Sequence, residues 1–111
     1  MTESDTVEDG YREQGNAEYR SGNYLKAAAL YTKALKENPE CAPLYSNRSI
    51  ALLQLNKLSK ALADAEMCIT LAPTWEKGHF RKGMVLEALN RLEEVRFLLT
   101  LKNFFHSKLI K

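Results

Sequence analysis

An internal repeat of 34 residues constrains this chain more than any other feature of its sequence. When the sequence is shifted by that interval, small residues fall on small residues and helix-ending residues fall on helix-ending residues. Three sets of positions coincide in this way, namely Gly15 with Ser49 and Gly83, Ala27 with Ala61 and Val95, and Tyr24 with Leu58 and Leu92. Such a period is typical of a chain built from one supersecondary unit used several times.

Residues that end helices recur at the same interval. Gly22, Asn56 and Asn90 coincide, and glycine and asparagine most readily adopt the left-handed conformation that closes a helix. Pro39 and Pro73 also coincide, each just past an apolar-periodic segment that a proline would stop. The sequence therefore predicts six helices, at about 8–20, 24–37, 42–54, 58–71, 75–88 and 92–105. Because the turn inside each pair is short, the six helices should form three antiparallel hairpins.

Stacked hairpins of this kind form an all-α solenoid in which the first helix of every unit lines a groove. With 111 residues, of which 45% are apolar, the chain is long enough for one domain but too short for two. We expect a disordered acidic N-terminus at 1–7 and a divergent, apolar and basic C-terminal helix or tail at 95–111. Between them the repeats should occupy about 8–41, 42–75 and, as a partial unit, 76–94.

These residues resemble the tetratricopeptide repeat, a family with a 34-residue period and with small, aromatic and proline residues at these offsets. The resemblance covers about residues 8–94, and the third unit matches only through its first helix and the start of its second. It implies a tetratricopeptide-repeat α-solenoid of three helical hairpins with an atypical last helix.

After Glu94 the repeat pattern ends. Lys102 stands where Ala34 and Cys68 are small, Ser107 replaces the recurring proline, and no acidic residue follows. The tail is apolar and basic, without the polar outer face of a terminal capping helix. Two interpretations remain open, because the tail can be a substitute last helix that covers the core or an exposed surface that binds a partner or self-associates.

Five polar residues lie on the first helices of the units, where a solvated groove would place them. They are Arg12, Asn16, Asn47, Lys77 and Arg81. Residues four apart, such as Arg12 and Asn16 or Lys77 and Arg81, share a helix face. Asn47 and Arg81 are 34 apart, so they occupy the same place in successive units. Basic and amide groups together suit a carboxylate ligand, whose desolvation they offset.

Residue by residue, these five positions resemble the dicarboxylate clamp of tetratricopeptide co-chaperones. That clamp holds the Glu-Glu-Val-Asp ending of the seventy- and ninety-kilodalton heat-shock chaperones. The matching strings are Arg-Glu-Gln-Gly-Asn at 12–16, Tyr-Ser-Asn-Arg at 45–48 and Lys-Gly-His-Phe-Arg-Lys at 77–82. The family usually has lysine where Arg12 stands, and a planar guanidinium is not a point charge.

The resemblance also implies a role for each residue of the clamp. Arg12, Asn16 and Asn47 would bind the terminal carboxylate of the ligand. Lys77 would bind the last side chain, and Arg81 would bind the backbone or a nearby acid. For Tyr19 and Ile50, one turn further along the same faces, two interpretations remain open: an apolar pocket for the penultimate valine, or the core.

The predicted function is a protein-binding adaptor for such chaperone tails, and the alternative is a scaffold that acts through its apolar tail or convex face. A net charge of +2 is too small for a dedicated nucleic-acid binder, and no apolar run is long enough to span a membrane. His79 and His106 lack companions for a metal site, and no nucleophile or phosphate-binding loop is recognisable. We therefore expect no enzyme, no cofactor and no metal, and a cytoplasmic or nuclear location.

Overall fold

The computed structural model describes residues 6–110, with side chains to residue 108. Five helices follow one another: α1 (Val7–Arg20), α2 (Tyr24–Glu37), α3 (Ala42–Gln54), α4 (Leu58–Leu71) and α5 (Glu76–Ile110). No strand occurs within this part of the chain. The all-α prediction is confirmed, and α1 to α4 begin and end within one residue of their predicted bounds.

The recurring small residues are the places where the two helices of a hairpin touch. A Cβ atom added to Gly15 of α1 would lie 2.7 Å from Cε1 of Tyr31 in α2, closer than the ring allows. In the second hairpin the hydroxyl of Ser49 donates a hydrogen bond of 2.8 Å to the carbonyl of Ala61. The equivalent alanine of the first hairpin, Ala27, is fully buried. The small residues therefore let the helices approach closely, as predicted.

The two hairpin turns use the left-handed conformation that the sequence predicted. Gly22 has φ of 83° and Asn56 has φ of 59°. Glycine has no Cβ to oppose this conformation, and asparagine tolerates it better than most residues. In units one and two the first helix thus ends just before a residue that tolerates this conformation.

One apolar core runs through the stacked helices. Its buried members come from α2 to α5, and they are Ala27, Ala28, Tyr31, Ala34, Leu35, Leu44, Ala51, Leu52, Leu58, Ala61 and Val85. Tyr11 and Tyr19 of α1 pack against this cluster. From α5 only Val85 belongs to the buried set, with Ala88 and Leu89 packed against it. The first half of α5 therefore closes the core, and the second half has no part in it.

The predicted third hairpin is wrong, because α5 continues without a break through the expected turn at Asn90. Neither glycine nor proline occurs between Met84 and the end of the chain. Two side-chain pairs bridge the expected turn along the helix: Arg91 donates to Glu87 at 2.7 Å, and Asn90 donates to Glu94 at 3.3 Å. Pairs four residues apart favour the helix over a turn.

The side chains of the expected sixth helix also disfavour a third hairpin. Val95 and Lys102 replace the small residues that let α2 and α4 lie close to their partners. A helix with these larger side chains cannot approach the first half of α5 as closely as α2 approaches α1. The chain consequently extends to 75 Å along its longest axis, against 30 and 19 Å along the others.

The interpretation of the tail as a substitute last helix covering the core is wrong. Residues 91–108 are helical, but all of them are exposed except Leu101, which is half-buried. The exposed apolar side chains of this segment are Leu92, Val95, Phe97, Leu98, Leu99, Phe104 and Phe105. Across the described helices, none is long and apolar enough to cross a membrane.

The predicted disordered N-terminus lies mostly outside the described residues, which begin at Thr6. Thr6 caps α1, since its Oγ1 accepts the backbone N–H of Asp9 at 3.1 Å. Val7 is the first helical residue, so ordered structure begins slightly earlier than predicted.

Candidate functional site

A cavity of about 340 Å³ lies where α1, α3 and α5 come together. Its lining residues are Asn16, Tyr19, Arg20, Tyr31, Asn47, Ile50, Gln54, Arg81 and Met84. We call this cavity the groove. It brings together three of the five predicted clamp residues, Asn16, Asn47 and Arg81, together with the two candidate apolar residues.

The side chain of Asn16 is held by two neighbours. The hydroxyl of Tyr31 donates to Oδ1 of Asn16 at 2.6 Å, and Nδ2 of Asn47 donates to the same oxygen at 3.4 Å. Burial raises the pKa of Tyr31 above its usual value, so the hydroxyl keeps its proton and remains a donor. Because Oδ1 faces these donors, Nδ2 of Asn16 is left for a ligand, and it donates to no other residue of the described chain.

Arg81 is fixed along one edge of its guanidinium. Its Nε donates to the hydroxyl of Ser46 at 3.2 Å, and Nη1 approaches the sulfur of Met84 at 3.8 Å. Ser46 is fully buried in α3, so its position is set by the core. The centre of the guanidinium also lies 5.9 Å from the ring centroid of Phe80. These contacts leave Nη2 without a described partner, and they hold the positive charge at the edge of the groove.

Arg12 and Lys77 do not line the groove in this structure. Each lies one helical turn before a groove residue, Arg12 before Asn16 and Lys77 before Arg81. Arg12 is paired within α1, where its Nη2 donates to Asp9 and its Nη1 lies 3.9 Å from a carboxylate oxygen of Glu8. A carboxylate ligand that binds Arg12 must therefore compete with Asp9.

Lys77 is exposed and has no carboxylate partner in the described chain. Its Nζ lies 5.7 Å from the ring centroid of Trp75, at the start of α5. An exposed ammonium on a long aliphatic side chain can move to a ligand at little cost. Among the predicted basic residues, Lys77 is thus the more available and Arg12 the more restrained.

Tyr19 and Ile50 both line the groove. Tyr19 also packs against the apolar core cluster, and Ile50 is buried. Ile50 is only 9% exposed, and the ring of Tyr19 meets the ring of Tyr24 edge-on with 5.1 Å between centroids. Their exposed edges give the groove an apolar wall.

Two residues that support the groove were not predicted as part of it. Tyr31 looks like a core aromatic in the sequence, and it is 2% exposed, but its hydroxyl positions Asn16. Ser46 is buried beneath Arg81 and accepts its Nε hydrogen bond. The sequence could have indicated these roles, because Tyr31 and Ser46 each place a hydroxyl at a core position. Phenylalanine or alanine would fill the same space without a donor or acceptor that needs a hydrogen-bond partner.

A second arginine, Arg48, is fully engaged elsewhere. It binds Asp64 of α4 in a bidentate manner at 2.7 and 2.8 Å, and it donates to the hydroxyl of Thr32 in α2 at 3.1 Å. The hydrogen bonds to Asp64 raise the pKa of Arg48 further above its usual value. Because this pair joins three helices and satisfies a buried carboxylate, Arg48 serves the fold and adds no available charge to the groove.

The arrangement can bind an anion through amide and guanidinium donors. Within the described residues, no three His, Cys, Asp or Glu side chains are grouped in a way that could hold a metal ion. Burial raises the pKa of the Cys68 thiol, which keeps it in the neutral form, and neither Cys68 nor Cys41 forms a disulfide. The groove therefore offers recognition of a negatively charged group.

Comparison with known proteins identifies the repeat. The profile of the tetratricopeptide repeat matches residues 12–74. The chain is 43% identical over 88 residues to the heat shock protein STI1 of Saccharomyces cerevisiae, covering 78% of this chain and 15% of that protein. It is 42% identical over 77 residues to the Hsp70-Hsp90 organizing protein of Triticum aestivum, covering 69% and 13%. The chain thus spans less than a fifth of the length of these relatives.

Solved structures with the same fold include complexes. The first TPR of Spaghetti (RPAP3), bound to the HSP90 peptide SRMEEVD, matches with a TM-score of 0.73 and 31% identity, covering 78% of this chain and 69% of that one. The TPR2B domain of yeast Sti1, in its pHsp70 complex, matches with a TM-score of 0.73 and 28% identity, covering 78% and 70%. The first match is thus to a complex with an HSP90 peptide, and the second is to a pHsp70 complex.

Proposed function

Because the chain belongs to the tetratricopeptide-repeat family, we propose that it is an adaptor that grips the acidic carboxyl-terminal tail of a heat-shock chaperone. The ligand is a Glu-Glu-Val-Asp type tail of a seventy- or ninety-kilodalton chaperone. The observation that carries the proposal is the convergence of Asn16, Asn47 and Arg81 in one groove with unused donors. The HSP90 peptide SRMEEVD in a structural relative has the same type of ending.

The chemistry of the groove suits the end of a chain better than an internal acidic side chain. A terminal residue brings a main-chain carboxylate, and an aspartate there brings a second one close by. Nδ2 of Asn16 and Nη2 of Arg81 are donors at two points of the groove, so they can bind two separate carboxylates. Each charge-assisted hydrogen bond contributes about 1.5 to 3 kcal/mol, and a few of them, after ordering costs, give an affinity of roughly micromolar order.

Arg12 and Lys77 complete the clamp in this proposal. Lys77 moves from its place near Trp75 to the last side chain of the ligand, with no ion pair to any residue of the described chain to break. Arg12 either binds the ligand carboxylate while keeping its hydrogen bond to Asp9, or releases Asp9 to bind the ligand. In both cases the existing pair reduces the net contribution of Arg12 to the free energy of binding. The apolar wall of Tyr19 and Ile50 receives the penultimate valine.

The proposal treats residues 8–41 and 42–75 as complete repeats and the first half of α5 as the first helix of a third, within 76–94. The module acts by binding, without chemistry of its own. The proposed partners support a cytoplasmic or nuclear location. Imaging of a fluorescent fusion in a cell that expresses the full-length protein tests the location.

Calorimetric titration with a Glu-Glu-Val-Asp peptide and its carboxyl-amidated form tests the function. We expect micromolar binding of the first peptide and at least tenfold weaker binding of the second, since amidation removes a carboxylate. Arg81→Ala should lower the affinity by a similar factor. Arg96→Ala removes the same charge from an exposed position of α5 and should leave it unchanged. Equal affinity for both peptides, or no binding by folded protein, would contradict the proposal.

A further inference from the structure

The surface of α5 that faces away from the core carries a regular stripe of residues. They are Glu76, Phe80, Gly83, Glu87, Asn90, Glu94, Phe97, Leu101, Phe104 and Lys108. We call this set the outer stripe. The intervals between its members alternate between four and three residues, which is the spacing that keeps one face of a helix against a partner helix. All are exposed except Leu101, which is half-buried.

At Gly83 the outer stripe has room for another helix. A Cβ atom added there would meet nothing within 4 Å, whereas the equivalent Gly15 of the first unit lies against the ring of Tyr31. The neighbouring Phe80 is 62% exposed. In the first hairpin the small residue packs against the second helix of the unit, but in the third unit no helix among the described residues 6–110 occupies that place. A large apolar side chain from outside can therefore pack there.

The outer stripe matches itself at most of its levels when two copies of α5 run in opposite directions. A twofold axis at Leu92 places Phe80 of one copy opposite Phe104 of the other, and Gly83 opposite Leu101. The same register places Glu76 opposite Lys108, which have opposite charges. Asn90 falls opposite Glu94, an amide opposite a carboxylate. Glu87 falls opposite Phe97, and this is the one layer of the outer stripe whose two members differ in polarity. Every layer occurs twice, because each copy contributes both members.

We propose that the outer stripe is the interface of an antiparallel homodimer of this chain. A second copy is the occupant because both halves of the complementary surface lie on one helix in one register. The spacing alone gives every member of the outer stripe a counterpart, so the argument rests on the chemical match of the paired residues. Phe80 meets an aromatic ring, Gly83 meets a large apolar side chain, and Glu76 meets a positive charge. The aromatic layers at the two ends anchor the pair, and the polar layers near the axis specify its register at some loss of affinity.

This interface leaves the groove open. Arg81 points into the groove, and Gly83, two residues later on α5, lies on the opposite side of the helix. Phe80 is the member of the outer stripe that contacts a groove residue, since its ring centroid lies 5.9 Å from the guanidinium of Arg81. The inference does not depend on the proposed function. A variant that loses dimerisation should still bind the Glu-Glu-Val-Asp peptide as the unmodified chain does.

Sedimentation equilibrium over a hundredfold range of concentration tests the dimer. We expect reversible association of the unmodified chain. Leu101→Asp should raise the dissociation constant at least tenfold, since it places a charge in the layer of Gly83. Thr100→Asp adds the same charge beside the outer stripe and should have much less effect. Circular dichroism of each variant, with peptide titration, confirms that α1 to α4 remain folded.

A charge exchange tests the register. Glu76→Lys and Lys108→Glu should each weaken the dimer several-fold, and the double variant should restore it because opposite charges again face each other across the pair. The double variant of Glu76→Lys with Lys102→Glu should not restore it, since Lys102 lies off the outer stripe. A monomer at every concentration, no effect of Leu101→Asp, or no recovery in the exchange variant would overturn the proposal. So would a monomer whose basic tail instead binds anionic lipid vesicles.

Discussion

The hydroxyl of Tyr31 is the smallest change that tests how the groove is organised. Tyr31→Phe keeps the ring against Gly15 and the core, but it removes the donor that lies 2.6 Å from Oδ1 of Asn16. Asn16 is then oriented only by the longer contact of 3.4 Å from Asn47. A net hydrogen bond contributes about 0.5 to 1.5 kcal/mol, so we expect the affinity for a Glu-Glu-Val-Asp peptide to fall about two- to tenfold.

A double-mutant cycle separates this effect from a general loss of stability. If the hydroxyl acts through Asn16, Tyr31→Phe should weaken peptide binding in the unmodified chain and have no effect once Asn16→Ala is present. Tyr45→Phe is the matched control, because the hydroxyl of Tyr45 donates to the carbonyl of Pro39 outside the groove at 2.9 Å. It should lower the free energy of unfolding by a similar amount without changing calorimetric affinity. An equal loss of binding in the Asn16→Ala background would refute the reasoning.

Three further expectations follow from the same contacts. Asp9→Asn should raise peptide affinity about two- to fivefold in calorimetry by releasing Arg12, whereas Glu13→Gln, an exposed acid on the same helix, should not. Gly15→Ala should lower the free energy of unfolding by about 1 to 3 kcal/mol in urea titrations, because the added Cβ meets the buried ring of Tyr31. Gly83→Ala should raise the free energy of unfolding by about 0.5 to 1 kcal/mol at low protein concentration, since nothing lies within 4 Å of the added Cβ. Peptide affinity should stay constant between about pH 6 and 9, because the groove is lined by no His, Asp, Glu or Cys and the pKa of the buried Tyr31 is raised. The hydrogen bond of Tyr31, and the stability that it contributes, should be lost only above about pH 10. A transition in affinity near pH 7 would contradict this expectation.

The first four helices were predictable because their ends are encoded locally. Gly22 has no Cβ to oppose the left-handed conformation, Asn56 tolerates it, and Pro39 and Pro73 prevent the preceding helices from continuing. The third unit has an asparagine at the turn but no glycine there and no proline after it. Asn90 tolerates a turn but does not require one, so the outcome depends on whether the following helix can pack.

In the candidate site, the repeat pattern predicted which residues line the groove, but it did not predict the side-chain contacts that they make. The 34-residue interval placed Asn47 and Arg81 in one orientation, and the structure brings both to the groove with Asn16. The pairing of Arg12 with Asp9 was not predictable from the 34-residue interval, because the side chain of Arg12 can either bind a nearby carboxylate or extend towards the groove. The role of the Tyr31 hydroxyl was hidden by the fact that its ring is also a core residue.

The unbroken course of α5 has a consequence for ligands that carry more than one tail. With a rise of about 1.5 Å per residue, the proposed antiparallel register separates the two copies of Arg81 by about 33 Å along the helix axis. Two tails joined at that spacing would bind both grooves, and the second would bind from an effective concentration in the millimolar range. Because α5 continues without a turn, the proposed dimer would bind a ligand with two tails through two grooves at once, and its avidity for that ligand would exceed the affinity of either groove alone.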